Sequence, residues 1–188
     1  KFAGYSEIQK IILVVPENEL AETELLIDKW NISEKVEVII GGETRQHSVW
    51  QGLNHLPDKT EIVMVHDGVR PFISEEIIDT CIREAGEWGA VITAVPISDT
   101  VKEVIDQTVK TTLDRRILWR VQTPQCFQKR LLIEAYKKAW EENRTATDDS
   151  TLVEQLGQTV RVVQGDERNI KITSPEDLKI AEKLLEEK

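Results

Sequence analysis

The chain has 188 residues, enough for one domain that buries roughly 70% of the surface its unfolded form exposes, so no staple is needed to hold it. Lys and Arg number 24 against 34 Asp and Glu, a net charge of -10 that argues against a nucleic-acid binder working by phosphate neutralisation, though not against a polyanionic small ligand. Cys81 and Cys126 fit neither a disulfide framework nor a zinc site, and no apolar run approaches the ~20 residues that span a bilayer, so a cytoplasmic protein with no membrane partner is expected.

Periodicity predicts a strand over 10–15, a helix over 19–30, a strand over 36–40, a helix over 48–56 and a strand over 62–65. Apolar strands alternating with amphipathic helices build a parallel sheet covered on both faces. Ser74, followed by Glu75 and Glu76, reads as an N-cap with acids in the first turn of a helix to about 88, and 90–95 supplies another strand. From 96 the pattern changes: 101–105 and 109–113 flank Asp106-Gln107 as a short hairpin, and no helical stripe returns until 129–142, so the segment to about 127 reads as an arm projecting from the sheet. Thr147-Asp148-Asp149-Ser150 offers caps for a helix to about 156, a strand follows over 159–163, and Asn169 to Thr173 reads as one more short strand. Ser174-Pro175-Glu176-Asp177 starts the last helix, with proline at its first position.

Two clusters sit where an open α/β sheet holds ligands, at the carboxyl ends of strands. His66-Asp67-Gly68-Val69-Arg70 leaves the strand over 62–65, placing an acid and a base on one rim; the competing reading is a turn with Asp67 bonding its own backbone, and His66 reads as a packed strand-end residue. Gly41-Gly42-Glu43-Thr44-Arg45-Gln46-His47-Ser48 joins a strand to a helix, where glycines can bring backbone close to a ligand; by composition alone it is an ordinary turn with Ser48 as N-cap, and Arg45 is what that reading explains least. Asp114-Arg115-Arg116 and Arg120 bring cations to an acidic chain, and Lys171 lies between two isoleucines, either facing water from an edge or aimed at a ligand. Asp148 and Asp149 read as a cap, and the five tryptophans as core and helix-packing residues.

Taken in order, Gly41-Gly42 to Gly52-Leu53, His66 to Phe72, Val95-Pro96 to Lys102, Gln122-Thr123-Pro124-Gln125-Cys126-Phe127, Thr147-Asp148-Asp149 and Asn169-Ile170-Lys171-Ile172-Thr173 closely resemble the 2-C-methyl-D-erythritol 4-phosphate cytidylyltransferase family of the non-mevalonate isoprenoid pathway. The resemblance implies a Rossmann-like, mostly parallel sheet flanked by helices in a single domain over 1–188, with a protruding β-arm over 96–120 used for homodimerisation. It implies transfer of CMP from CTP to a sugar-alcohol phosphate, with Mg²⁺ as cofactor. Gly42, Glu43, Ser48 and Gly68 would lie along the CTP. Asp67, Arg70, Thr100, Arg115 and Thr123 would hold the sugar phosphate, with Thr100, Arg115 and Thr123 supplied by the other subunit. Arg115 and Lys171 would be the catalytic cations, Lys171 touching both substrates, and Asp67 a candidate metal ligand.

The sequence departs from the family pattern at its front, where members carry a strand and a glycine-rich loop with an arginine and a lysine that bind triphosphate. The expectation is a longer natural chain, and a sheet lacking that central strand should leave unpaired edges. A ribitol 5-phosphate cytidylyltransferase shares the framework, and a catalytically silent dimerisation and acceptor-binding fragment is the alternative from another class.

Overall fold

The computed structural model describes residues 1–186, and alternation of strand and helix governs its first half as the periodicity predicts. Strand β1 (Ile11–Val15) leads through a short turn to α1 (Leu20–Lys29), then to β2 (Val36–Ile40), α2 (Arg45–Asn54), β3 (Ile62–Val65), α3 (Glu75–Trp88) and β4 (Ala90–Pro96). The hairpin is β5 (Lys102–Ile105) and β6 (Thr108–Thr112), with Asp106 and Gln107 both at positive φ in its two-residue turn. There follow β7 (Trp119–Gln128), α4 (Lys129–Glu141), α5 (Asp149–Gln155), β8 (Arg161–Gln164) and α6 (Pro175–Glu186).

The larger sheet is mixed, its strands sharing one direction except β7. It runs β3-β7-β4-β8, with β7 antiparallel to both β3 and β4, and β8 parallel to β4. Residues 119–128 return as a ten-residue strand at the centre of the sheet, so the segment outside the sheet ends near 118 rather than at about 127. Three of its buried residues are polar, Gln122, Thr123 and Gln125, and a proline sits among them, which disguises the strand in the sequence. The register shift opposite Ile92 and Thr93 gives Pro124 room, and the Thr93 hydroxyl donates to the Pro124 carbonyl at 2.8 Å.

Strands β1 and β2 pair in parallel as a sheet of their own. Among the described residues β1 pairs only with β2 and β3 only with β7, so each keeps one edge without a strand partner. Helix α2 spans the two sheets: Gly52 lies against Val14 of β1, while Leu53, Val49 and Trp50 pack with Phe127, Tyr136 and Leu152.

Side-chain alternation sorts the core of the larger sheet to its two faces. Ala90 and Phe127 join α2, α4 and α5 on one side; their neighbours Val91 and Cys126 meet Ile77, Ile78, Cys81 and Ala85 of α3 on the other. Ser74 caps α3 as expected, accepting from the Ile77 amide at 3.2 Å. Ser174 and Asp177 cap α6 reciprocally, the Ser174 hydroxyl taking the Asp177 amide and the Asp177 carboxylate the Ser174 amide. Of the tryptophans only Trp50 and Trp140 pack against a core cluster; Trp30, Trp88 and Trp119 are exposed, so core packing explains two of the five. Trp88 instead carries the Arg161 guanidinium 4.5 Å above its ring.

Candidate active site

The rim forms where β3 ends. Arg70 N–H donates to the Asp67 carbonyl at 3.0 Å, closing a turn that returns the Arg70 side chain toward the Asp67 carboxylate, 3.7 Å from Nε to Oδ2. Segment 169–173 crosses this turn. It makes no strand ladder, contrary to expectation; one bond, Ile172 N–H to the Val69 carbonyl at 2.9 Å, docks it there. That docking brings Lys171 Nζ to 3.0 Å from Asp67 Oδ2. Lys171 is thus no edge lysine facing only water: it joins Asp67 and Arg70 in one cluster, with its side chain still 46% exposed.

Beneath the cluster lies Asn169, fully buried. Its backbone carbonyl accepts from Arg70 Nη1 at 2.8 Å and its side-chain amide donates to the Thr123 carbonyl at 2.9 Å, so it ties rim to central strand. Thr123 also reaches the rim directly, its hydroxyl accepting the Asp67 amide at 3.0 Å. This places Thr123 beside the Asp67 of its own chain. Burial, outweighing the Arg70 carbonyl and the Asp67 charge, pulls the His66 pKa below its ordinary value, so the ring is neutral at pH 7. Both of its nitrogens are engaged, Nε2 with the Arg70 carbonyl at 3.0 Å and Nδ1 with the Thr123 hydroxyl at 3.2 Å. His66 and Asn169 are the site-building residues that sequence reasoning passed over; the only signal was their position inside motifs read for other residues.

The glycine loop is built differently from its expected form. Helix α2 starts at Arg45, with Thr44 as N-cap accepting from the His47 amide at 3.1 Å, and Ser48 lies inside the first turn. The Ser48 hydroxyl instead accepts the Gly42 amide at 3.1 Å, folding the loop onto the helix. The approach is tight: a Cβ on Gly42 would lie 2.4 Å from His47 Cβ. Gly42→Ala should therefore lower stability by about 1–3 kcal/mol through forced displacement of the loop, read as a lower urea midpoint at unchanged slope. Gly42, Glu43 and Gly68 are all exposed, and Ser48 is half-buried.

Arg45 finds its explanation in Asp149, whose carboxylate is fully buried. Arg45 Nη2 lies 2.6 Å from Asp149 Oδ2, and the Tyr136 hydroxyl donates to Asp149 Oδ1 at 2.5 Å. Burial first, and then the Asp149 charge, hold the Tyr136 hydroxyl far above its usual pKa, so it stays a donor. Next along, Asp148 caps α5 by accepting the Thr151 amide, and it accepts Gln125 Nε2 at 2.8 Å. Burial raises the Asp148 pKa and its hydrogen bonds, Thr151 foremost, lower it further than burial lifts it.

On the arm, Arg116 pairs with Asp114 and Arg120 with Glu167. Arg115 is exposed and spends one donor on the Ser98 carbonyl; Thr100 is exposed nearby. Among the described residues no hydrogen bond or ion pair joins Thr100 or Arg115 to Asp67, Arg70 or Lys171.

One anionic side chain set between two cations, at the carboxyl end of a strand, can grip and orient phosphorylated ligands. Similarity to known proteins agrees. The sequence pattern of "IspD: 2-C-methyl-D-erythritol 4-phosphate cytidylyltransferase" matches residues 1–187. A 2-C-methyl-D-erythritol 4-phosphate cytidylyltransferase of Clostridioides difficile is 46% identical over 175 residues, 93% of this chain and 73% of that protein. A bifunctional IspD/IspF enzyme of Desulfotalea psychrophila is 48% identical over 183 residues, 96% of this chain and 46% of that protein. The crystal structure of 4-diphosphocytidyl-2C-methyl-D-erythritol synthase from Anaerococcus prevotii superposes with a TM-score of 0.90 at 36% identity, covering 98% of this chain and 82% of that one. By sequence and fold alike, the chain belongs to the 2-C-methyl-D-erythritol 4-phosphate cytidylyltransferase family.

Proposed function

We propose that the 66–70 rim, with Lys171 docked against it, carries the family's reaction: CMP passes from CTP to 2-C-methyl-D-erythritol 4-phosphate, giving CDP-methylerythritol and pyrophosphate. The observation that supports this most is the Lys171–Asp67–Arg70 cluster, in which Lys171 keeps nearly half its surface free for a ligand. The nucleophile is a phosphate monoester, whose second pKa near 6 leaves it mostly dianionic at neutral pH, so no general base is required. That chemistry suits a rim whose one histidine has both nitrogens engaged in holding the loop. What the reaction needs is alignment of two anions and neutralisation of charge on the α-phosphoryl oxygens.

In this reading Lys171 is the point charge at the reacting phosphoryl group and Arg70 holds the acceptor. Asp67, freed from Lys171 when substrate arrives, accepts an acceptor hydroxyl. Gly42, Glu43, Ser48 and Gly68 line the nucleotide. A Mg²⁺ ion fits as a companion of the triphosphate: among the described residues no cluster of three His, Cys, Asp or Glu could hold a metal, so phosphate oxygens would be its main ligands and Asp67 its protein contact. Bound there, it would add positive charge at the α-phosphoryl oxygens.

The arm supports a homodimer. Hairpin β5–β6 is exposed on both faces, and Val104, Ile105 and Val109 each show more than half their surface, although a lone two-stranded hairpin is marginal in water. A partner seated there would receive Thr100 and Arg115 into its site. No described helix is long and apolar enough to cross a membrane, and the two buried free thiols suit a reducing cytoplasm.

Pyrophosphate release with CTP and each of two acceptors, methylerythritol phosphate and ribitol 5-phosphate, tests the reaction; release with the second alone would overturn the acceptor assignment. Mixing Arg115→Ala with Lys171→Ala chains tests the arm. If the arm acts across the dimer, one site of each mixed dimer is intact and activity returns. If Arg115 serves its own subunit, both sites stay broken and nothing is regained.

A further inference from the structure

Among the bonds that fix the 66–70 loop are the Thr123 hydroxyl on the Asp67 amide, the Ile172 amide on the Val69 carbonyl, and His66 Nε2 on the Arg70 carbonyl. The last determines how the others are wired. A carbonyl only accepts, so His66 Nε2 carries the proton and donates. The neutral ring then has Nδ1 as an acceptor, and the hydroxyl 3.2 Å away must donate to it. With its proton so directed, Thr123 Oγ1 turns a lone pair toward the Asp67 amide 3.0 Å away. The result is a directed relay from Asp67 N–H through Thr123 O–H and the imidazole to the Arg70 carbonyl. It begins and ends on the two residues whose side chains form the rim.

We propose that His66 is a positioning residue for the acceptor: through Thr123 and the Arg70 carbonyl it sets the spacing and direction of the Asp67 and Arg70 side chains without touching substrate itself. The proposal rests on the rim being the acceptor site. Phe2 stacks edge-on against the imidazole at 4.9 Å, so the ring is confined on that face as well as by its hydrogen bonds. A side chain recruited only to fill space would not need both polar atoms matched in this order.

Steady-state kinetics of the whole enzyme with CTP and methylerythritol phosphate read the effect. His66→Phe, which keeps the ring and removes both bonds, should raise KM for the acceptor about tenfold, with KM for CTP and kcat within about twofold of the parent. His66→Asn, which can restore the acceptor for the Thr123 hydroxyl, should recover part of that loss. Thr123→Val should mimic His66→Phe, and the double variant should be no worse than the poorer single, since both break one relay. Equal losses for both substrates, additive losses, or no change in acceptor KM would each overturn the proposal. If His66→Phe does not fold, Thr123→Val and His66→Asn carry the same comparison. Asp67→Asn separates the two levels: should it leave acceptor KM unchanged, the rim is not the acceptor site and both readings fall, whereas a raised KM beside an unaffected His66→Phe removes this proposal alone.

Discussion

With Lys171 as the point charge proposed above, replacing it with Met should lower kcat for cytidylyl transfer by about 10²–10³-fold, the usual cost of losing one preorganised group at developing charge. The fold should hardly notice. Lys171 is 46% exposed, and a half-solvated ion pair contributes on the order of 1 kcal/mol or less. Asp67 keeps Arg70 at 3.7 Å and the Thr123 bond to its amide, so the rim survives the change. Lys171→Arg should recover only part of the rate, because a planar fork cannot reproduce a compact ammonium placed by a short segment. Pyrophosphate-release kinetics beside a thermal melt make the comparison. A kcat near that of the parent, with the melt unchanged, would remove Lys171 from the catalytic role.

Asp149→Ala should lower stability by about 3 kcal/mol. A fully buried carboxylate receives Arg45 on one oxygen and the Tyr136 hydroxyl on the other, and deleting one member of such a buried set typically costs about 3–5 kcal/mol. Arg45 is 39% exposed and regains water when released, which places the loss at the lower end. For a chain of this size the shift is roughly 6–12 °C in Tm. Asp148→Ala next door gives the contrast: it removes an N-cap, worth about 1 kcal/mol, and one bond from Gln125. Urea unfolding of the two variants tests the order, and a smaller loss for Asp149→Ala than for Asp148→Ala would contradict it.

The elements legible in the sequence are those whose burial follows apolar spacing. Strands β1 to β4 and α3 with its Ser74 cap are of that kind; the exposed hairpin is legible instead from the turn pair Asp106-Gln107 between two β-branched runs. Strand β7 was hidden because its interior is held by matched polar groups rather than by apolar residues. Gln125 lies fully inside, giving its amide to Asp148 and taking the Ser150 amide, and Gln122 and Thr123 are satisfied in the same way. A polar stretch containing proline looks like a loop until its partners, tens of residues away, are known.

The site divides along the same line. Asp67, Arg70 and Lys171 stand out as charges at a strand end and in an apolar segment, and the structure brings the three together. Asn169 and His66 do not stand out, because each works through backbone carbonyls or hydroxyls remote in sequence; Asn169 bonds Thr123 across 46 positions. Arg45 shows the reverse case. It is what an ordinary strand-to-helix turn explains least, and its partner is a carboxylate 104 positions on.

The division of the strands into two sheets puts weight on one helix. Among the described residues no ladder bonds join β1 to β3, so side-chain packing through α2 links the two sheets. Helix α2 is the plate between them, anchored to one body through Gly52 and Val14 and to the other through Leu53 and the Arg45–Asp149 pair. The loop over 41–44 and the rim over 66–70 thus hang on different sheets, and α2 is the element that holds their spacing.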